Sequence, residues 1–380
     1  MAFKRLVGIT YGYFVPNGGI GRHIAETAKR FINPELCKIL TLEQRFDNFD
    51  SVKVSFIGCK REPVFLSSEE NTNFSEAINQ IQKKQSLIIH SHGVYNIKPD
   101  LYTAHICLLN SFEIMIAIFG KQIVENFVPN FHKIVETEKR MLNTLKEEQI
   151  FSVSKKLSID LSKNYGLDTV KMKIILNSSR FPLKKITYSY YENSITEIIL
   201  GTIGSNFYAK GFPFVCKLIA ELNRRGHKTK CIIAGCNERT ISDLSFFIQQ
   251  ENISYISDSL ILKGRIDIGE DFYSQLDCYL CLSFLESHSL STLEAMSLGI
   301  PVISNSINSV FYDAKLDDPS LTLCEVQSLN NIQEMADAVE HIVLDSKYRD
   351  RLINSGFSIV SQTSWESVAA AYENLYVNLC

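Results

Sequence analysis

Cys278-Tyr-Leu-Cys-Leu-Ser-Phe-Leu-Glu286-Ser-His-Ser-Leu-Ser-Thr-Leu-Glu294-Ala-Met-Ser-Leu-Gly-Ile-Pro-Val-Ile303 decides the reading of this chain. An apolar, strand-like run, Cys278–Phe284, leads into two carboxylates separated by seven residues. An Ala/Met/Leu helix follows, which Gly299-Ile-Pro301 should end. In open α/β sheets ligands bind where strands end and helices begin, so Glu286 is expected at the carboxyl edge of a strand. The amides of Ser289, Leu290 and Ser291 would open the helix and offer an anion site. Glu294 would lie one to two turns further in. Carboxylates for hydroxyls beside amides for phosphates suit a sugar diphosphate.

Outward from this segment, short β-branched runs alternate with longer helical patterns, the signature of parallel sheets. In the first half the pattern predicts strands over Leu6–Thr10, Lys38–Leu42, Lys53–Ile57, Leu87–His90 and Ile150–Val153. Helices are expected over Ile20–Phe31, with apolar residues at helical spacing, and Phe131–Glu148, with a charged face. A connector rich in Lys and Tyr, Pro182–Asn193, breaks the alternation. The second half restarts with a strand over Glu197–Ile203 and a helix over Phe212–Arg225, where Pro213 suits a first turn. Strands over Lys228–Ala234 and Leu260–Lys263, a helix near Ile241–Glu251, and helices over Ile332–Leu344, Tyr348–Val360 and Trp365–Leu379 complete the pattern.

A chain of 380 residues, 45% of them hydrophobic, should form two domains with full cores. Its net charge of −3 gives no basic field for nucleic acid, so no nucleic-acid partner is expected. The ten cysteines follow no framework spacing and point to a reducing compartment. Cys278 and Cys281 form a C-x-x-C, but on a strand residues three apart point to opposite faces, so both read as core. The start reads directly into a strand rather than a signal peptide. The longest apolar region, Ile106–Phe119, is broken by Asn110, Ser111 and Glu113 and falls short of a membrane span. No acidic pair on a loop and no His/Cys ligand cluster is evident, so no metal and no cofactor is expected. Cations and helix amides would then have to hold phosphates.

The quoted segment resembles the retaining glycosyltransferases of the GT-B fold, in particular glycosyltransferase family 4, with its Glu-x7-Glu pattern, Ala-Met and Gly-x-Pro-Val. Other stretches are similar to that family in the same order. They are Asn17-Gly-Gly-Ile-Gly-Arg-His23, Ser152–Leu161, Val170–Asn177, Gly204–Gly211 with Lys210-Gly211, and Ser364-Trp-Glu366. The resemblance implies an α/β protein of two Rossmann-like domains facing across a cleft. Residues 1–185 would bind the acceptor and residues 194–362 the nucleotide sugar, with 364–380 packing back on the first domain. It also implies a UDP-, GDP- or ADP-sugar donor and a glycan, lipid-linked or protein acceptor in microbial surface polysaccharide biosynthesis. The location would be cytoplasmic, at most peripheral at the inner membrane face.

Residue by residue, the resemblance makes Glu286 the carboxylate near the donor sugar, Glu294 the partner of the ribose, and Lys210 the cation on the diphosphate. The family's arginine near the first glycine of this half falls at Ser205, and serine cannot replace a bidentate phosphate clamp. Either Arg265 supplies the charge, or the donor binds more weakly, or it sits differently. Ser287, His288 and Ser289 stand where the family commonly has Gly-aromatic-Gly, and backbone amides there can still meet phosphate. The family's first-domain histidine, facing the anomeric carbon, has two candidates. His105, in Leu101-Tyr-Thr-Ala-His105, resembles the family segment more closely than His92 does. The stretch between them is shorter than the family's. His23 is a structural residue or an acceptor contact, and Gly18 and Gly19 allow close approach of backbone to ligand. Two other readings stand beside transfer. One is a GT-B nucleotide-sugar epimerase; the other is a non-catalytic glycan-binding or scaffold subunit.

Overall fold

The computed structural model describes residues 5–11, 18–41, 48–49, 52–56, 68–185 and 197–379. Expectations that fall on Asn17, on Leu42 and Ile57, and on the connector from 186 to 193 lie outside them. The chain divides into two compact units, Met1–Ser178 with Thr363–Cys380, and Ser179–Gln362.

In the first unit the strands are β1 (Val7–Thr10), β2 (Cys37–Thr41), β3 (Asn48–Phe49), β4 (Val52–Phe56), β5 (Ile88–Ser91), β6 (Leu101–Ala104), β7 (Ile150–Ser152) and β8 (Lys173–Ile174). They form one sheet in the order β3-β4-β2-β1-β5-β6-β7-β8. Pairing is parallel except between β3 and β4. β1 and β5 are buried along their whole length, as expected of parallel strands covered on both faces. The helix Trp365–Asn378 completes this unit. Arg30 pairs with Glu366 at 2.6 Å, Glu373 accepts from the Ile32 amide, and Tyr372 and Tyr376 reach the sheet through Thr103 and His90.

The second unit contains β9 (Ile198–Ile203), β10 (Thr229–Ala234), β11 (Leu260–Leu262), β12 (Cys278–Cys281), β13 (Val302–Asn305) and β14 (Cys324–Val326). The order is β11-β10-β9-β12-β13-β14, all parallel. This is the doubly wound order that runs outward from its first strand and then reverses. Its core gathers Tyr273, Tyr279, Leu293, Leu298, Val302 and Phe311 between sheet and helices.

Most expected elements form within two or three residues of their predicted limits. Two differ. The helix from Phe131 stops at Leu142 rather than Glu148. The Thr144 hydroxyl turns back to Met141 O, and a short 3-10 turn over Glu147–Gln149 follows. The strand expected to run to Phe284 ends at Cys281, because the next residues bond to the loop before the helix Phe212–Arg224 instead of to a strand. Among the described residues no helix is long and apolar enough to cross a membrane.

Candidate active site

In the second unit the strand order reverses between β9 and β12, the place where open α/β sheets bind ligands. The chain leaving β9 carries Lys210, and the chain leaving β12 carries Glu286. Their side chains meet, Lys210 Nζ to Glu286 Oε2, at 2.6 Å. Backbone geometry forces this meeting. Phe284 N–H and Ser283 Oγ both donate to Ala209 O, at 2.7 and 3.1 Å, so the two loops run side by side. Gly211 sits at φ +69, and a Cβ there would lie 2.1 Å from Leu282 O. Only glycine allows that approach. At Gly204 a Cβ would fall 2.4 Å from Lys210 Cγ, so the lysine stem lies across the end of β9. Burial works to lower the Lys210 pKa, but the charge and hydrogen bond of Glu286 prevail and hold it above its ordinary value.

Ser289 caps the helix Leu290–Ser297 by accepting from Thr292 N–H. The Leu293 amide goes to Ser289 O at 3.1 Å. The first-turn amides left for an anion are those of Leu290 and Ser291, and the helix dipole adds to them. His288 is buried, and Ser287 O accepts from Ser309 N–H, which anchors this loop.

Glu294 is placed differently from a carboxylate waiting for hydroxyls. It is 1% exposed. Its Oε1 pairs with Arg180 Nε at 3.0 Å, and its Oε2 accepts from Tyr273 OH at 2.8 Å. Each oxygen keeps further acceptor capacity, so a ribose could still be met, but the group is first a buried ion pair. Arg180 also donates to Ile268 O and stands 4.8 Å over the Phe181 ring. Sequence reasoning missed Arg180. Its only signal is its place just after the residues similar to the end of the family's first domain.

Ser205 follows β9, and its carbonyl accepts from Thr240 Oγ1 at 2.6 Å. Arg265 is exposed. Its loop is tied to the end of β10 through Gly235 N–H to Gly264 O and Cys236 N–H to Lys263 O, so it shares the carboxyl edge of the sheet with Ser205. Cys278 and Cys281 are buried free thiols on β12, and burial pushes both thiol pKa values up.

In the first unit the order reverses between β1 and β5. His92 immediately follows β5, His105 follows β6, and His23 lies on the helix Gly19–Ala28 after β1. The two candidates for the family histidine are brought together, with His92 Nδ1 and His105 Nε2 at 2.9 Å. His23 Nδ1 meets Asn177 Oδ1 at 2.7 Å, and His23 Nε2 meets Tyr372 OH at 3.1 Å. This overturns the expectation that the chain holds no histidine cluster: ligand atoms of His23, His92 and His105 lie within 4.8 Å of one another. The signal was hidden because the three come from separate strand ends. Burial lowers the His23 pKa to about 4 and holds His92 and His105 well below the usual range, so all three are neutral at pH 7. Gly18 caps the helix in extended conformation. A Cβ on Gly19 would meet nothing within 4 Å, so packing does not require this glycine.

Comparison with known proteins bears on the fold and the family. Residues 192–358 match the family model of the glycosyl transferases group 1. An uncharacterized glycosyltransferase, MJ1607 of Methanocaldococcus jannaschii, is 21% identical over 249 residues, 62% of this chain and 61% of that protein. The match thus spans less than two thirds of that relative. The O-antigen biosynthesis glycosyltransferase WclY of Escherichia coli is 27% identical over 83% of this chain and 89% of its own. Three solved structures share the fold at low identity. Sucrose-phosphate synthase of Thermosynechococcus elongatus superposes with TM-score 0.75 and 16% identity over 99% of each chain. WaaG, a glycosyltransferase involved in lipopolysaccharide biosynthesis, gives 0.73 and 14% over 98% of this chain and 99% of its own. Anabaena HepE in complex with UDP and glucose gives 0.71 and 14%, again over 98% and 99%. The fold is GT-B.

Proposed function

With a GT-B fold whose second unit carries the glycosyl transferases group 1 match, we propose that this chain is a retaining, metal-independent glycosyltransferase of family 4. It moves a sugar from a nucleotide-diphosphate sugar to a glycan, lipid-linked or protein acceptor in microbial surface glycan assembly. The observation that carries the reading is the Lys210–Glu286 pair at the strand-order reversal of the second unit. The relatives in O-antigen and lipopolysaccharide synthesis support the setting. A cytoplasmic location, at most peripheral at the inner membrane face, belongs to the same proposal.

Breaking a sugar–phosphate bond builds positive charge at the anomeric carbon and negative charge on the departing diphosphate, and a site must stabilise both. Lysine has three donors. One is held by Glu286, and two remain for phosphate oxygens. The Leu290 and Ser291 amides face the same charge from the helix start. Glu286 accepts from sugar hydroxyls and favours the developing cation. Glu294, held by Arg180 and Tyr273, takes the ribose. Departure and attack on the same face let the leaving phosphate oxygen take the acceptor's proton, so no protein base is needed. In this scheme the second unit holds the nucleotide and the first presents the acceptor.

The test is a thermal-shift screen with UDP, GDP, ADP and their sugars, followed by transfer assays with the stabilising donor. Because Lys210 and helix amides carry the phosphate charge, transfer should persist in excess EDTA. Full loss with EDTA and recovery with Mg²⁺ would reject the metal-free scheme. A second reading, a non-catalytic glycan-binding subunit, is favoured by one observation, the neutral Ser205 where the family has arginine. Nucleotide-sugar binding without turnover on any acceptor would select it.

A further inference from the structure

We propose that His23, His92 and His105 form a binding site for one transition-metal ion of the zinc class, separate from the donor chemistry above. Three neutral imidazoles with an open fourth position are an established zinc ligand set. The spacing fits. Ring centroids are 5.4 Å apart for His23–His92, 4.9 Å for His23–His105 and 5.2 Å for His92–His105. Zinc–nitrogen bonds of ~2.0 Å put each ring centre about 3 Å from the ion, and tetrahedral angles then space the rings by about 5 Å.

The ligand atoms need modest adjustment. His92 Nδ1 and His105 Nε2, at 2.9 Å, must open to about 3.3 Å, the edge of a tetrahedral zinc shell. One of these nitrogens carries a proton in the metal-free pair. That ring binds through the same atom after shifting to its other tautomer, so no net proton is lost. Asn177 Oδ1 can only accept, so His23 Nδ1 is the protonated nitrogen and Nε2 carries the lone pair. Tyr372, which now faces that lone pair, has a second partner in Thr103 Oγ1 at 3.1 Å and can turn its hydroxyl there. Asn177 thus serves His23 as outer-shell residues serve metal-binding histidines, fixing tautomer and ring direction. His105 is only half-buried, which gives an ion an entrance. His90, whose nitrogens meet Tyr376 and Thr103, stands outside the group of imidazoles whose ligand atoms lie within 4.8 Å of one another.

The site has a built-in reporter. Trp365, the chain's single tryptophan, stacks edge-on to His23 at 5.6 Å. The full chain, stripped with chelator, is titrated with Co²⁺ and then with Zn²⁺, reading visible absorption and Trp365 emission. The expected result is one Co²⁺ per chain with the intense bands of a tetrahedral ion, quenching of Trp365, and bleaching of the bands by Zn²⁺. His105→Gln and His92→Ala should each weaken Co²⁺ binding by more than the ~10–100-fold typical of losing an outer-shell partner. Asn177→Ala should fall within that range. His341→Ala, exposed and distant in sequence, is the control that should bind as wild type. Circular dichroism and metal-free Trp365 emission establish that each variant is folded. Weak octahedral-type bands, no quenching, or undiminished binding in the folded His105→Gln protein would overturn the proposal. None of these readouts depends on glycosyl transfer, so failure here and failure of the transferase reading are distinguishable.

Discussion

Glu286 and Glu294 show how one residue type serves two purposes, the first paired with Lys210 and the second with Arg180. Lys210 is charged and partly accessible, with Glu286 as an ion-pair partner at 2.6 Å. If it neutralises charge that grows on a leaving diphosphate, its effect is larger in the transition state than in the ground state. Lys210→Ala should therefore lower kcat by about a hundredfold or more, the scale of losing one electrostatic donor. Lys210→Arg should recover part of it, since the guanidinium fork is larger and shaped differently. Rates at saturating donor decide the matter, and a folded Lys210→Ala enzyme with wild-type kcat would remove the lysine from the phosphate. Glu294 demands a different substitution. Alanine would leave Arg180 with the longer pairing to Asp267 at 3.8 Å and open a hole beside it, so the fold should lose stability. Glu294→Gln keeps a partner for Tyr273, so calorimetric titration of nucleotide on this variant is the cleaner probe of the ribose contact. Glu294→Ala melting with the wild type would show that the pair contributes no stability. The two glutamates were legible because one strand and one helix fix their spacing, and Lys210 because Gly211 and a helix follow it directly. Arg180 was not, since its partner Glu294 lies on a distant element.

Elements with long, regular patterns were readable and short ones were not. Ile332–Leu344 forms with the limits its apolar spacing predicts. β6, four residues long, carries too little alternation to stand out, although it delivers His105. The helix from Phe131 was read too long because its charged face continues past Leu142, while its end is set by a local turn. That helix also carries an element-scale device. Glu138, fully buried, accepts from the Leu108 amide at 3.1 Å and from Tyr165 OH, joining the starts and ends of three helices. Burial pushes its carboxyl up to about 8 from an ordinary 4.5. A raised carboxyl binds more protons folded than unfolded, so stability falls as pH rises from about 4.5 to about 8 and levels off above. Glu138→Gln is neutral throughout. Its Tm should match the wild type near pH 5 and exceed it increasingly up to pH 8, with a constant gap beyond. A gap that does not change with pH would mean that Glu138 is already ionised at acid pH.

At the scale of the whole molecule, the alternation of strands and helices announced two parallel sheets, and both formed with a reversal of strand order. Which side chains would gather at each reversal was not readable, because strand order is a property of the assembled sheet. His23 and His92 meet at one, Lys210 and Glu286 at the other, and no sequence spacing encodes either meeting. The division into two units carries a prediction of its own. Trp365 lies in the first unit and is 2% exposed, so its emission follows the unfolding of that unit alone. Hydrogen exchange at β9 to β14 follows the second. A nucleotide at a hundred times its dissociation constant should stabilise the unit that binds it by ~2.7 kcal/mol. With the nucleotide assigned to the second unit, the stabilising nucleoside diphosphate should slow exchange across β9 and β12 and leave the Trp365 denaturation midpoint nearly unchanged. Lys210→Ala should reduce the protection at β9 and β12 without moving the Trp365 midpoint. A Trp365 midpoint that rises with nucleotide while β9 and β12 exchange as before would place the nucleotide on the first unit and reverse the assignment of donor and acceptor.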